Sequence, residues 1–316
     1  MDLSLFFAGT AGSVPSARRG LPAILIRRGG ERLLFDCGEG TQRQLARSVG
    51  LSDLDAIYLT HFHTDHWLGL PGMLKSFDLR DRQRPLTLYG PPGIEDLAKL
   101  MKLIYGRLDY DLEIVELAPG EPVGFDGYAI TAVPVRHRGP AVGYLLTEDD
   151  RLGRFDAELA AALGVTPGPD FGRLQRGETV NGVSPEQVIG PTRRGRRLVI
   201  SGDTSPCEAI AIAAQEADVL VHEATFAEDE SDRARQTGHS TARGAAQLAR
   251  DAGVGLLALT HISTRYAGRE LRDEAREVFA DSCVPRDFDS IEIPFPERGA
   301  AELVHWSSGA GAVAPR

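Results

Sequence analysis

The sequence predicts an α/β fold that carries its functional groups at strand ends. Three observations support that prediction. Short, uninterrupted apolar runs rich in branched residues recur along the chain, helical periodicities fall between them, and Asp or His follows directly on several of the runs. Apolar runs of this length suit strands buried on both faces. Open α/β sheets place their sites just past strand ends, where these polar residues stand.

The elements follow in order. The opening MDLSLFFAGT has no basic leader and turns to glycine after a few apolar residues, so it reads as a first strand and not a signal peptide. Residues 33–35 run into Asp36, and 56–59 into Thr60 and His61. Ile94, Leu97, Met101 and Ile104 recur at helical spacing with charges on the other face. Residues 198–200 precede Ser201-Gly202-Asp203, 219–221 precede His222, and 256–259 precede Thr260-His261. Ser205-Pro206-Cys207-Glu208 has the form of a capping box and predicts a helix through about Glu216. Ser240 is placed as the cap of a helix ending near Gly253.

Between about 147 and 197 the chain is rich in Gly and Pro with little periodicity. Structureless loops beyond about 12–15 residues are usually functional or disordered, so this stretch is expected to be a flexible arm inserted between two core strands. The expected organisation is one domain over 1–316, the arm at 147–197, and a frayed Gly/Ala-rich tail after Trp306.

With 42% hydrophobic and 25% charged residues the chain has enough apolar material for a large core. No run approaches the roughly 18–20 apolar residues of a membrane helix. Three widely spaced cysteines argue against a disulfide framework, and a soluble cytoplasmic protein is expected. The net charge of −10 does not favour nucleic acid. It describes the far field, however, whereas phosphate binding depends on local basic groups and metal ions. Arg18, Arg19, Lys75, Arg80, Arg82 and Arg84 are therefore read as a solvated charged face first and as phosphate contacts second.

The strongest chemical signal is Thr60-His61-Phe62-His63-Thr64-Asp65-His66. Three imidazoles and a carboxylate in six residues are too costly to bury as ordinary core groups. Wrapped around one point at a strand end, they suit zinc or another divalent first-row metal. His137, Asp203 and His261 stand at the ends of later apolar runs and extend the set to five imidazoles and two carboxylates. Two ions need more ligands than seven monodentate groups supply, and a bridging carboxylate with a bridging water closes the gap.

The run 60–66 resembles the HxHxDH signature of the metallo-β-lactamase fold, a four-layer αβ/βα sandwich. Further likeness is specific to ribonuclease Z, the tRNA 3′-end endonuclease family. It lies in Phe35-Asp36-Cys37-Gly38-Glu39-Gly40-Thr41, His222-Glu223-Ala224-Thr225, Gly238-His239-Ser240-Thr241 and Thr260-His261-Ile262-Ser263-Thr264-Arg265-Tyr266. The resemblance implies one ion held by His61, His63, His137 and Asp203, and another by Asp65, His66, Asp203 and His261. Two Zn2+ per chain are expected, with Mn2+ as the alternative. It also implies a homodimer and a tRNA precursor as substrate. Gly168 and Pro169 resemble the family's exosite for the tRNA elbow, although the arm holds eight basic and eight acidic residues between 148 and 197 and is not plainly basic.

The chemistry expected is hydrolysis of one phosphodiester. Asp65 is placed as general base, and the resemblance offers His239, oriented or charged by Glu223, as proton donor to the leaving 3′-oxygen. Ser240 is a helix cap or a phosphate contact at a helix N-terminus. Two alternatives are a dinuclear phosphodiesterase or arylsulfatase-like hydrolase of small substrates, and an RNA-binding scaffold with a vestigial metal site. The arm speaks against the first, and the complete donor set against the second.

Overall fold

The computed structural model describes residues 1–51 and 53–307; the predicted frayed tail lies, from 308 on, outside them. The strands are β1 (Leu3–Gly9), β2 (Ala23–Arg28), β3 (Glu31–Phe35), β4 (Ala56–Tyr58), β5 (Leu86–Gly90), β6 (Leu112–Glu116), β7 (Pro122–Phe125), β8 (Tyr128–Pro134), β9 (Val142–Glu148), β10 (Arg197–Ile200), β11 (Val219–Glu223), β12 (Leu256–Thr260), β13 (Ser282–Cys283), β14 (Ser290–Glu292) and β15 (Glu302–Val304). They form two sheets, ordered β15-β14-β1-β2-β3-β4-β5-β6 and β13-β12-β11-β10-β9-β8-β7.

Strand periodicity explains the layering. Leu3, Leu5 and Phe7 of β1 point into the core between the sheets, while Phe6 and Ala8 pack on the outer face. Val219 and Val221 of β11 likewise face inward and Leu220 outward. The outer face of the first sheet is covered by helices Leu70–Asp78 and Ile94–Tyr105. Helix Ala242–Asp251 covers the second through Ala242, Ala245, Ala246 and Ala249, small side chains that let it approach closely. The result is the expected four-layer αβ/βα sandwich. Aromatic rings cross the central core: Tyr58 stacks on Phe35 at 4.8 Å and on Tyr89 at 4.6 Å.

Local details differ from expectation in four places. The helix expected from Ser205 begins at Glu208 and ends at Ala213, because Ser205 bridges Arg136 and its N–H donates to the Arg136 carbonyl. The helix expected from Ser240 is capped by Thr241, whose hydroxyl accepts from Gly244 N–H. Ile104 is 62% exposed, although the rest of its periodic set is buried. The arm is not featureless: it holds short helices Ala157–Ala162, Pro169–Gln175 and Pro185–Val188 around a small core of Ala160, Val165, Leu174, Val180, Val183 and Val188.

Candidate metal centre

The two sheets meet at their strand ends. Val142 N–H donates to the Thr60 carbonyl and His61 bridges Ala141, so the loop after β4 touches the start of β9. His61 and His63 sit in that loop, and Asp65 and His66 on the single helical turn Thr64–Trp67. His137 follows β8, Asp203 follows β10, and His261 follows β12 in a left-handed backbone conformation, φ 58°. Gly12 approaches His261 so closely that a Cβ there would lie 2.4 Å from its Nδ1, which accounts for the missing side chain.

All seven expected ligands converge. Ligand atoms of His61, His63, His137 and Asp203 lie within 4.8 Å of one another, as do those of Asp65, His66 and His261. Asp203 faces both groups: its Oδ2 is 3.7 Å from His61 Nε2, 3.5 Å from His66 Nε2 and 3.2 Å from His261 Nε2. Asp65 Oδ2 is 3.5 Å from both His66 Nε2 and His261 Nε2. Ligands about 2.1 Å from a tetrahedral ion stand roughly 3.4 Å apart, so this spacing is that of a coordination shell.

The outer nitrogens explain how the rings are held. Thr60 Oγ1 donates to Asp36 Oδ2 at 2.9 Å and so can only accept from His61 Nδ1 at 3.0 Å. Thr225 Oγ1 donates to Glu223 Oε2 at 2.6 Å and accepts from His261 Nδ1 at 2.8 Å. His66 Nδ1 donates to Asp36 Oδ2 at 2.7 Å, and His137 Nδ1 to the Gly238 carbonyl at 2.9 Å. Four rings thus place their proton outward and a bare Nε2 inward, the tautomer a metal ligand needs. Two of these, His66 Nε2 and His261 Nε2, are buried without a hydrogen-bond partner among the described residues.

The electrostatics also call for a cation. Burial works against ionised Asp203, but His261 and His66 outweigh it and hold the carboxyl well below its usual range. Burial likewise opposes a charged His66, yet Asp203 and Asp36 raise its pKa well above the ordinary value. Without an ion, a second proton on His66 Nε2 would balance these carboxylates, and binding of a metal there displaces it. The residues present fit a divalent ion.

Beside this cluster stands His239, whose Nδ1 donates to Glu223 Oε1 at 2.8 Å. Burial lowers the basicity of His239, but the charge and hydrogen bond of Glu223 prevail and push it up to about 9. Glu223 is fixed in turn by Thr204 N–H at 3.0 Å and Thr225 N–H at 3.2 Å. The His239 ring lies 5.1 Å from that of His137 and 5.4 Å from that of His261. Ser13 N–H donates to Asp65 Oδ2 at 2.9 Å and holds that carboxylate from the other side.

The remaining site expectations divide. Ser240 is buried, and its hydroxyl donates to the Thr204 carbonyl at 2.6 Å, so neither the cap nor the free phosphate contact applies. Gly168 and Pro169 open a helix of the arm. Arg82 is buried against the Leu54 and Pro85 carbonyls and so is structural instead of solvated, while the half-buried Arg19 donates to Thr10 Oγ1 and the Pro285 carbonyl. Asp36, Thr60 and Thr225 carry the ring orientations, a role the sequence alone does not assign to them. Their signal was position: each neighbours a predicted ligand or charge partner at a strand end.

Known proteins resemble the chain over nearly its whole length. The model of the β-lactamase superfamily domain matches residues 31–262. The chain is 47% identical to a protein of Halorubrum lacusprofundi named ribonuclease Z, over 94% of this chain and 99% of that one. It is 46% identical to one of that name from Myxococcus xanthus, over 94% and 99%. Among solved structures, human tRNase Z, short form, superposes with a TM-score of 0.68 at 28% identity, covering 93% of this chain and 99% of that chain.

Proposed function

Because the chain belongs to the ribonuclease Z family of the β-lactamase superfamily, we propose that it is a metal-dependent endoribonuclease that removes the 3′ trailer of tRNA precursors. One phosphodiester is hydrolysed, leaving a tRNA 3′-hydroxyl and a 5′-phosphorylated trailer. The observation that carries the reading is the Glu223–His239 pair set against the His/Asp cluster, a proton donor beside a cation site.

His61, His63, His137 and Asp203 would hold one ion, and Asp65, His66, Asp203 and His261 a second. Zn2+ suits this nitrogen and oxygen set, with Mn2+ as the alternative, and ions bound there acidify water and draw charge from the scissile phosphate. Asp65, fixed by Ser13 N–H, receives the proton of the attacking water. His239, kept protonated by Glu223, gives one to the leaving 3′-oxygen. The Thr60 and Thr225 hydroxyls keep His61 and His261 from turning.

The arm, with Gly168 and Pro169 at its Pro169–Gln175 helix, is read as the exosite for the tRNA elbow, working in a cytoplasmic homodimer. Hydrolysis of small diesters alone is disfavoured because such a substrate has no use for the arm. A vestigial scaffold is disfavoured because no expected ligand is displaced from the cluster. Parallel assays test the assignment: kcat/KM for a tRNA precursor is expected to exceed that for bis(p-nitrophenyl) phosphate by orders of magnitude. Equal values would move the substrate to small diesters.

A further inference from the structure

The arm leaves the core at Glu148, the end of β9, and returns at Arg197, the start of β10. Its stalk is a backbone exchange: Arg151 N–H donates to the Arg193 carbonyl at 2.8 Å, and Arg193 N–H to the Arg151 carbonyl at 2.9 Å. Phe155 bridges Ile189 one step further out. Beyond that lies the arm's own small core, separate from the clusters between and outside the sheets.

A segment from the far end of the chain grips this stalk. Glu297 accepts a two-pronged pair from Arg151, Nη1 to Oε1 at 2.8 Å and Nη2 to Oε2 at 2.9 Å, and a third bond from Arg193 at 3.2 Å. Two residues away, the Phe295 ring has the Arg151 guanidinium 3.5 Å from its centroid and that of Arg196 at 4.1 Å. Arg196 is itself buried and bonded to Glu148, so Phe295 links the stalk to the rigid base of the arm. The hydrogen bonds of Arg151 hold the Glu297 carboxyl down to about 2. Without Glu297, Arg151 and Arg193 would face each other as like charges on paired backbone positions, an arrangement that destabilises the pairing.

We propose that Glu297, seated by Phe295, is a positioning residue that sets the angle at which the arm presents itself to RNA, and so governs substrate capture and not the chemical step. The inference rests on the reading of the arm as the tRNA exosite.

The test compares Glu297→Ala, a deletion of 152–192, and the parent on a tRNA precursor and on bis(p-nitrophenyl) phosphate. For Glu297→Ala, KM for the precursor is expected to rise about two- to fivefold, the range of a partly exposed ion pair, with kcat unchanged. Hydrolysis of the small diester should not change, and the Arg151 and Arg193 amides should exchange hydrogen faster. The swapped pair Arg151→Glu with Glu297→Arg should recover KM. A KM unmoved by Glu297→Ala but raised by the deletion would overturn the positioning role and leave the exosite standing. A deletion that leaves KM unchanged would remove the exosite reading and the proposal with it. A fall in kcat on both substrates would mean that Glu297 only supports the fold.

Discussion

His239 Nδ1 and Glu223 Oε1 meet at 2.8 Å, the imidazole at the edge of the metal cluster and the carboxylate beneath it at the end of β11. In the proposed mechanism the pair makes His239 the proton donor and leaves it outside the two proposed sets of metal ligands. His239 also lies within ligand distance of Asp203 and His261, so a ligand role is the alternative to be separated. His239→Ala is expected to slow the chemical step by about 10²–10⁴-fold with metal content unchanged. Loss of metal together with activity would make it a ligand.

Asp65 faces both the second group of ligands and Ser13 N–H. Asp65→Ala is expected to abolish cleavage while the protein still binds tRNA, since the arm is untouched. Single-turnover cleavage near the parent rate would remove Asp65 as the base.

Asp36 touches no expected metal position but accepts from His66 Nδ1, Thr60 N–H and Thr60 Oγ1. Its replacement by Ala frees the His66 ring and the hydroxyl that holds His61. Metal affinity is expected to fall about 10–100-fold, as measured by titration with a competing chelator. Unchanged affinity would show that packing alone orients these rings.

The arm's base makes stability sensitive to acid. Glu148 is buried and accepts from Arg196 Nε at 2.7 Å and Arg28 Nε at 2.9 Å. Burial alone would raise its pKa, but the two arginines outweigh it and hold the carboxyl below its ordinary range. A depressed carboxylate contributes stability that is present above its unfolded pKa and lost as pH falls through the folded one. Unfolding free energy is therefore expected to decline below about pH 4.5. Glu148→Gln should cost about 3 kcal/mol or more at neutral pH and flatten that decline. Denaturant melts across pH check both; parallel acid limbs in parent and variant would contradict the assignment.

Much of the site was legible because its ligands are chemically costly and stand where apolar runs stop. His61, His63, Asp65 and His66 announce themselves in one segment, and His137, Asp203 and His261 repeat the strand-end position. What sequence did not reveal depends on hydroxyl geometry. Thr60 and Thr225 are ordinary strand-end residues until their hydroxyls are seen between a carboxylate and a ring. The misplaced caps have the same origin: Ser205 and Ser240 suit an N-cap locally, but tertiary partners at Arg136 and Thr204 take them. The arm shows no period in the sequence because its six buried residues are scattered over 160–188, half of them between three short helices. Its anchor, Glu297, lies more than a hundred residues downstream, and no local pattern connects the two.

The most direct test of the account is to incubate metal-replete protein with a tRNA precursor carrying a 3′ trailer and map the cut to the nucleotide. The account predicts a single cut at or just after the unpaired base that follows the acceptor stem, leaving a 3′-hydroxyl on the tRNA and a 5′-phosphate on the trailer. An intact precursor, with bis(p-nitrophenyl) phosphate hydrolysed by the same sample, would contradict it.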